Sequence, residues 1–90
     1  MPINTADFTV GTASALQIVT NANMAQDVLI HNNTTDTTIY LGGDDQVGTA
    51  TGVVLFGEER IAMEIRPGDE IYAIGDADNI DVRVLTITKR

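Results

Sequence analysis

The chain has 90 residues, no cysteine, and 13 Asp and Glu against 5 Lys and Arg, which gives a net charge of -8. A chain of this length builds one compact core, so we expect a single domain over residues 1–90. The missing cysteines exclude disulfides and thiolate metal sites, and the negative charge argues against binding nucleic acid through its phosphates.

The first 26 residues have a less regular pattern than the rest of the chain and contain one candidate strand. Residues 1–7 carry an acid and no basic run, and no apolar stretch in the chain approaches the roughly 20 residues that cross a bilayer. We therefore expect a soluble protein without a standard export signal, membrane anchor or membrane partner. Residues 1–10 could form an extended arm, or residues 8–10 a short strand. Residues 15–20 alternate apolar with polar side chains and are rich in β-branched types, which predicts a strand.

The middle of the chain predicts a hairpin and one further strand. Residues 27–31 and 37–41 are apolar strand segments, and the Asn, Asp and Thr side chains of residues 32–36 readily bond their own backbone in turns. We expect the two segments to pair with each other. After a stretch rich in Gly and Asp, the apolar residues 53–56 predict another strand, and residues 57–59 turn the chain.

The next segment shows the clearest strand pattern. In residues 60–66 every second side chain is large and apolar and the charged side chains share the opposite face, which predicts a half-buried strand. Pro67 fixes φ at one corner of the following turn, and Gly68 accepts the positive φ of the next. We expect this turn to join two antiparallel strands, the second at residues 71–74.

The final strand should be long and irregular. Apolar side chains occupy every second position from Ile80 to Val84, whereas Leu85 and Ile87 have the opposite parity. Because neighbouring side chains in a strand point to opposite faces, this predicts a bulge or bend between Val84 and Leu85. The whole pattern gives about seven or eight short strands separated by turns, which predicts an all-β fold, a small antiparallel sandwich or jelly roll.

The chain has few side chains suited to catalysis. Nucleophilic catalysis needs a nucleophile, a base and an orienting group, and the sequence has one serine, Ser14, and one histidine, His31. The pattern around Ser14 is typical of an ordinary turn, and His31 has no second His and no Cys to share a metal ion. We expect no enzyme activity, no catalytic residue, no metal and no cofactor.

The acids form clusters that suggest a second type of function. Asp76 and Asp78 lie in the predicted loop before the final strand and Asp81 follows at the start of that strand, and carboxylate oxygens suit calcium. The segment lacks the central glycine and the distant bidentate glutamate of a helical calcium loop, and solvated turn acids are the ordinary alternative. A small non-catalytic module that binds sugar or calcium is therefore the alternative function.

Four segments combine turn glycines with apolar strands, at residues 28–32, 38–43, 52–58 and 67–73. In these segments, and over roughly residues 27 to 88, the sequence resembles small β-sandwich proteins of tailed-phage virions, several of which are capsid decoration, or cement, proteins. The resemblance implies a structural protein on the outer surface of the virion that binds the major capsid protein, stabilises the shell and forms a homo-oligomer, with a trimer favoured.

Large apolar and aromatic side chains dominate protein interfaces, and this principle alone selects the candidate contact residues. For each of them the other interpretation is an ordinary core or strand residue. An arm at residues 1–10 would lie along the shell or a neighbouring subunit and become ordered on assembly. The candidate subunit or capsid contacts are Phe8, Val10, Tyr40, Phe56 and Tyr72.

Overall fold

A computed structural model of the chain describes residues 3–19, 24–48 and 51–88. These residues form eight strands and no helix, so nothing in the described ranges is a helix able to cross a membrane. The all-β prediction is confirmed. The strands are β1 Ile3–Val10, β2 Leu16–Val19, β3 Gln26–Asn32, β4 Thr38–Gly42, β5 Val53–Phe56, β6 Arg60–Ile65, β7 Ile71–Gly75 and β8 Ile80–Thr88.

The strands form two four-stranded antiparallel sheets. The front sheet has the order β1-β8-β3-β6 and the back sheet the order β2-β7-β4-β5. Consecutive strands lie in opposite sheets throughout the described chain, except for β4 and β5, which pair with each other. This is the strand order of an eight-stranded jelly roll, which confirms the predicted fold class.

The core lies between the two sheets and is built from every second residue of the strands. Ile30 on β3 and Ile39 on β4 are fully buried, and Ile80 and Val82 on β8 belong to the same core cluster. The alternation predicted for residues 60–66 is confirmed, because Ile65 is buried on β6 and the other two apolar positions of that strand pack against the core. Because apolar side chains recur at every second position, each sheet has an inner face toward the core and an outer face away from it.

The predicted hairpin of residues 27–31 and 37–41 is wrong. The two segments are strands, but β3 belongs to the front sheet and β4 to the back sheet. Both edges of β3 are already hydrogen-bonded, one to β8 and the other to β6, so no edge is left for β4. The loop between them crosses from one sheet to the other.

The turn at Pro67 and Gly68 is present, but it also joins strands of different sheets. The Asp69 N–H donates to the Arg66 carbonyl over 3.1 Å, and Gly68 has a φ of 87°. The strands on either side, β6 and β7, do not pair. The prediction of the turn is therefore confirmed, whereas the predicted pairing of the two strands that flank it is wrong.

The predicted bulge near Val84 is also wrong. The registers of β8 with β1 and with β3 continue unbroken through Val84 and Leu85. Leu85 and Ile87 instead point away from the core, onto the outer face of the front sheet, because the strand keeps its alternation after Val84. That outer face is therefore partly apolar. An irregularity occurs in β2, between Gln17 and Val19.

The described part of the suggested N-terminal arm is a strand. Residues 3–10 form β1, which pairs with β8 from Ile3 opposite Ile87 to Val10 opposite Ile80. Its first half is exposed and its last residue is fully buried. The strand forms one edge of the front sheet, and the first two residues of the suggested arm lie outside the described residues.

Candidate functional site

The clustered acids hold the loops in place. The carboxylate of Asp76 accepts a hydrogen bond from the Thr38 N–H over 2.9 Å, and that of Asp78 accepts from the Thr12 N–H and hydroxyl over 3.2 Å each. Asp81 binds Asn33 and Arg83. The three carboxylates therefore face different partners, and the described residues contain no group of three acidic or histidine side chains that could hold a metal ion.

The single serine and the single histidine lie in different environments. Ser14 is exposed in the loop between β1 and β2. His31 lies on the outer face of the front sheet, where the strand register places it between Arg60 and Arg83. No hydrogen bond connects Ser14 with His31 among the described residues, so the structure does not bring together the one pair that the sequence offered for catalysis.

The outer face of the back sheet carries a cluster of aromatic and apolar side chains, which we call the aromatic face. Tyr40 on β4 lies beside Val54 on β5 and Ile74 on β7, while Tyr72 and Phe56 extend the cluster at diagonal positions. Phe56 is 57% exposed and Val54 is 44% exposed. Because these exposed apolar groups form one cluster and are not scattered singly, the aromatic face is the candidate interaction surface.

The aromatic face has an acidic border. Desolvation raises the pKa of the Tyr72 hydroxyl, and the nearby carboxylates of Glu70, Asp45 and Asp44 raise it further. Glu70 is held in place by the Gln17 amide, which donates to its carboxylate over 2.9 Å. None of the described Arg and His residues lies on a strand of the back sheet. A ligand for this face should therefore bring apolar surface with positive charge around it.

The outer face of the front sheet differs in chemistry, and we call it the arginine face. One row across the sheet places Asp7, Arg83, His31 and Arg60 side by side. These residues line an open depression of about 640 Å³. Arg83 donates to Asp81 over 3.0 Å, and this hydrogen bond is the main cause that lowers the pKa of the Asp81 carboxyl.

The neighbouring row on the arginine face is mostly apolar. It contains Leu85 on β8 beside Leu29 on β3, with Ala62 on β6 at one end and Thr5 on β1 at the other. The next row has Ile87 beside Asp27, so acids also border this face. The arginine face thus combines a mostly apolar strip with a row in which Asp7 lies beside Arg83, His31 and Arg60, and further acids border it.

The five candidate contact residues separate into two groups. Tyr40, Phe56 and Tyr72 lie together on the aromatic face. Phe8 is half-buried against the core, and Val10 has no exposed surface and belongs to the core. Whether any of them contacts another protein stays a prediction. Sequence reasoning missed the arginine face, although the change of parity at Leu85 and Ile87 was its signal.

The comparisons with known proteins give one fold-level likeness. No protein-family model matches the chain, and no curated protein matches its sequence. A solved structure from the disulfide-linked pili of Bacillus endospore appendages has a similar fold, with a TM-score of 0.59 and 18% sequence identity over 99% of this chain and 87% of that chain. A likeness at this identity concerns the fold alone. Disulfide linkage has no counterpart here, because this chain has no cysteine.

Proposed function

We propose that this chain is a non-catalytic structural subunit that binds other protein subunits through the outer face of its back sheet. The observation that carries the proposal is the aromatic face, where Phe56 and Val54 stay largely exposed beside Tyr40 on an otherwise acidic domain. Exposed aromatic side chains on a rigid sheet make good interface anchors because they lose little conformational entropy on binding. The likeness in fold to a pilus structure is consistent with a structural role.

In its narrower form, the proposal names the partner as the major capsid protein of a tailed phage and the location as the outer surface of the virion. The support for this form is the resemblance of residues 27–88 to capsid decoration proteins. On this proposal the subunit stabilises the shell, and the resemblance implies a trimer. Docking would place the aromatic face against the shell and leave the acidic loops in solvent.

The experiment that tests the proposal measures cosedimentation of the purified chain with its matching capsids. We expect the wild-type chain to sediment with capsids, and the double substitution Phe56→Ser and Tyr72→Ser to weaken binding at least about tenfold, a loss of about 1.4 kcal/mol. The control is Val53→Ser, which removes an equally exposed apolar side chain from the opposite face of the same strand. A wild-type chain that does not sediment with capsids and is absent from virions would overturn the capsid form of the proposal.

The mass of the purified chain in solution, measured by light scattering coupled to size exclusion, tests the expected oligomer. Three copies at every concentration would support the trimer, whereas a monomer at every concentration would contradict any homo-oligomer. A monomer that still binds capsids would contradict the trimer but would still support the structural role.

A further inference from the structure

The sandwich is open along one side, where β6 is the edge strand of the front sheet and β5 is the edge strand of the back sheet. Between these two edges lies a depression of about 460 Å³, which we call the edge groove. Its lining is mainly apolar and takes inward-facing side chains from both sheets, among them Leu41, Val53, Ile61, Met63 and Ile65. From this groove and the free edge of β6 we infer that the chain binds an extended arm of another protein, which adds a strand to the front sheet.

Val53 is an inward-facing residue that the core leaves uncovered. It has the same parity on β5 as the buried Leu55 and lies opposite the buried Leu41, so its side chain is directed between the sheets. Val53 is nevertheless 61% exposed. On the other wall of the groove, Ile61 and Met63 pack against the core and are only half-buried. An apolar side chain inserted from outside would cover all three residues and remove apolar surface of both sheets from water.

The backbone of β6 indicates what form the ligand takes. Before the strand, the Asn32 N–H of β3 donates to the Glu59 carbonyl over 3.0 Å. After the strand, the Arg66 N–H and C=O both bond to Asp69, over 3.1 Å each, and so face away from β3. Backbone groups of an antiparallel strand face the same neighbour at every second residue, so both ends place the N–H and C=O of Ala62 on the free edge. An extended peptide satisfies such groups by pairing as an additional strand.

The opposite side of the sandwich is less suited to an arm. There β1 and β2 are the edge strands, and the register of β2 with β7 is interrupted between Gln17 and Val19. The depression on that side includes five polar residues, Asn4, Thr5, Gln26, Thr86 and Thr88. β5 is also a poorer template than β6, because Glu59 already bonds to the Phe56 N–H and C=O. The unbroken, six-residue β6 is therefore the strand that the arm would join.

The charges around the groove determine which arm fits. At the end of the groove near Gly68, four acids face one base: Asp44, Asp45, Asp69, Glu70 and Arg66. Along β6 itself, Arg60 and Glu64 balance each other in charge. The side chains that line the groove include Asp69 and Glu70 and no Lys, Arg or His. An arm with Lys or Arg beside its apolar residues is therefore complementary in charge to this end.

The described part of this chain has no strand to supply as the arm. Each of its eight strands already pairs within one of the two sheets, and the remaining residues of 1–90 occur in runs of at most four. A second copy would have to release one of its own strands, so the arm belongs to a different protein. The groove opens at the side of the sandwich, whereas the aromatic face is the outer face of the back sheet. The arm is therefore a second partner, and the inference goes beyond the proposed function.

The test is a titration of the isotope-labelled chain with a synthetic peptide, followed by NMR. In the peptide, three valines alternate with threonines, and a lysine at each end allows pairing in either direction. We expect the Ala62 amide signal to shift and its hydrogen exchange to slow at least about tenfold, because the amide gains a hydrogen bond. A peptide with glutamates in place of the lysines should bind more weakly.

Two neighbouring valines provide the matched variants. Val53→Ser should weaken peptide binding at least about tenfold, because it removes an apolar contact from the groove. Val54→Ser makes the same substitution on the aromatic face and should leave peptide binding unchanged. In capsid cosedimentation the order reverses, since Val54→Ser should weaken binding and Val53→Ser should not. Should circular dichroism show that Val53→Ser is unfolded, Met63→Ser replaces it on the other wall of the groove.

Several results would overturn the inference. One is an Ala62 amide that neither shifts nor gains protection at about 1 mM peptide. Another is an equal loss of peptide binding in Val53→Ser and Val54→Ser, which would place the peptide elsewhere. Equal binding of the lysine and glutamate peptides would overturn the basic character of the arm. None of these results involves capsids, so the proposed function would still be decided by cosedimentation.

Discussion

The side chain of Asn32, at the end of β3 in the front sheet, donates a hydrogen bond to the carbonyl oxygen of Leu55, on β5 in the back sheet, over 3.3 Å. Asn32 is fully buried, and its amide oxygen accepts from the Thr34 N–H and the Thr37 hydroxyl, each over 3.3 Å. Its backbone is also bonded to the turn between β5 and β6. Asn32 therefore connects two segments that cross from one sheet to the other, the loop between β3 and β4 and the turn between β5 and β6.

Replacing this amide should destabilise the fold. Asn32→Ala leaves the Leu55 carbonyl and the Thr34 N–H without their buried partner, and unsatisfied buried groups cost about 1 to 3 kcal/mol. Urea unfolding should show a lower midpoint for this variant. Asn4→Ala, the same substitution at an exposed position on β1, should leave the midpoint within the small range usual for surface changes. Equal midpoints for the two variants would contradict the role given to Asn32.

Gly57 lies at a second close contact between the same two segments, the loop between β3 and β4 and the turn between β5 and β6. A β-carbon added at Gly57 would lie 2.6 Å from the Thr34 carbonyl oxygen and 3.0 Å from the Asp36 nitrogen, both backbone atoms. Backbone cannot move aside as the end of a side chain can, so Gly57→Ala should cost about 1 to 3 kcal/mol, typical of overpacking. Gly43→Ala is the control, because an added β-carbon there has no neighbour within 4 Å. Gly57→Ala should therefore unfold at a clearly lower temperature than Gly43→Ala. Similar unfolding temperatures would show that the two segments can move apart at no cost in stability.

The hydrogen bond from Arg83 should make stability depend on pH in the acid range. It is the largest cause that lowers the pKa of Asp81 below its ordinary 3.8, and Asn33 adds to the effect. A carboxyl whose pKa is lower in the folded state adds stability above the unfolded value, and this stability is lost as the pH falls through the folded value. Wild-type stability should therefore fall below about pH 4 more steeply than that of Asp81→Asn.

Urea midpoints measured at stepwise lower pH test this expectation. The difference in urea midpoint between wild type and Asp81→Asn should be largest near neutral pH and should become smaller in acid. Arg83→Gln removes the main cause of the lowered pKa and should also flatten the pH dependence. Parallel curves for wild type and both variants would show that the pair adds nothing to stability, as is common for exposed ion pairs.

Local patterns in the sequence predict most of the strands but not which strands pair. The turn at Pro67 and Gly68 forms as expected, because its conformation depends on the φ preferences of those two residues. Whether the chain then returns to the same sheet or crosses to the other depends on which strand edges distant segments have already occupied. β3 illustrates this, because β8 and β6, far away in the sequence, take both of its edges.

The candidate site was predicted only in part for a similar reason. Tyr40, Phe56 and Tyr72 were selected by side-chain type, and the strand register places them on one face with Val54 and Ile74. Val10 was selected by the same criterion and is buried, because side-chain type does not tell which way a residue points. The arginine face depends on the register between β3, β6 and β8, which pairs residues far apart in the chain. The parity change at Leu85 and Ile87 is a local signal of its apolar part, and the grouping of its charged residues has no such signal.

The parity change in β8 gives the last prediction, which compares two isoleucines of one strand. Ile80 points into the core and is fully buried, whereas Ile87 points outward and is half-buried beside Asp27. Ile80→Ala should cost about 2 to 5 kcal/mol through loss of core packing. Ile87→Ala should cost clearly less, because it opens no cavity between the sheets. Chemical denaturation of both variants tests the unbroken register directly, since a bulge after Val84 would turn Ile87 inward and make the two losses similar.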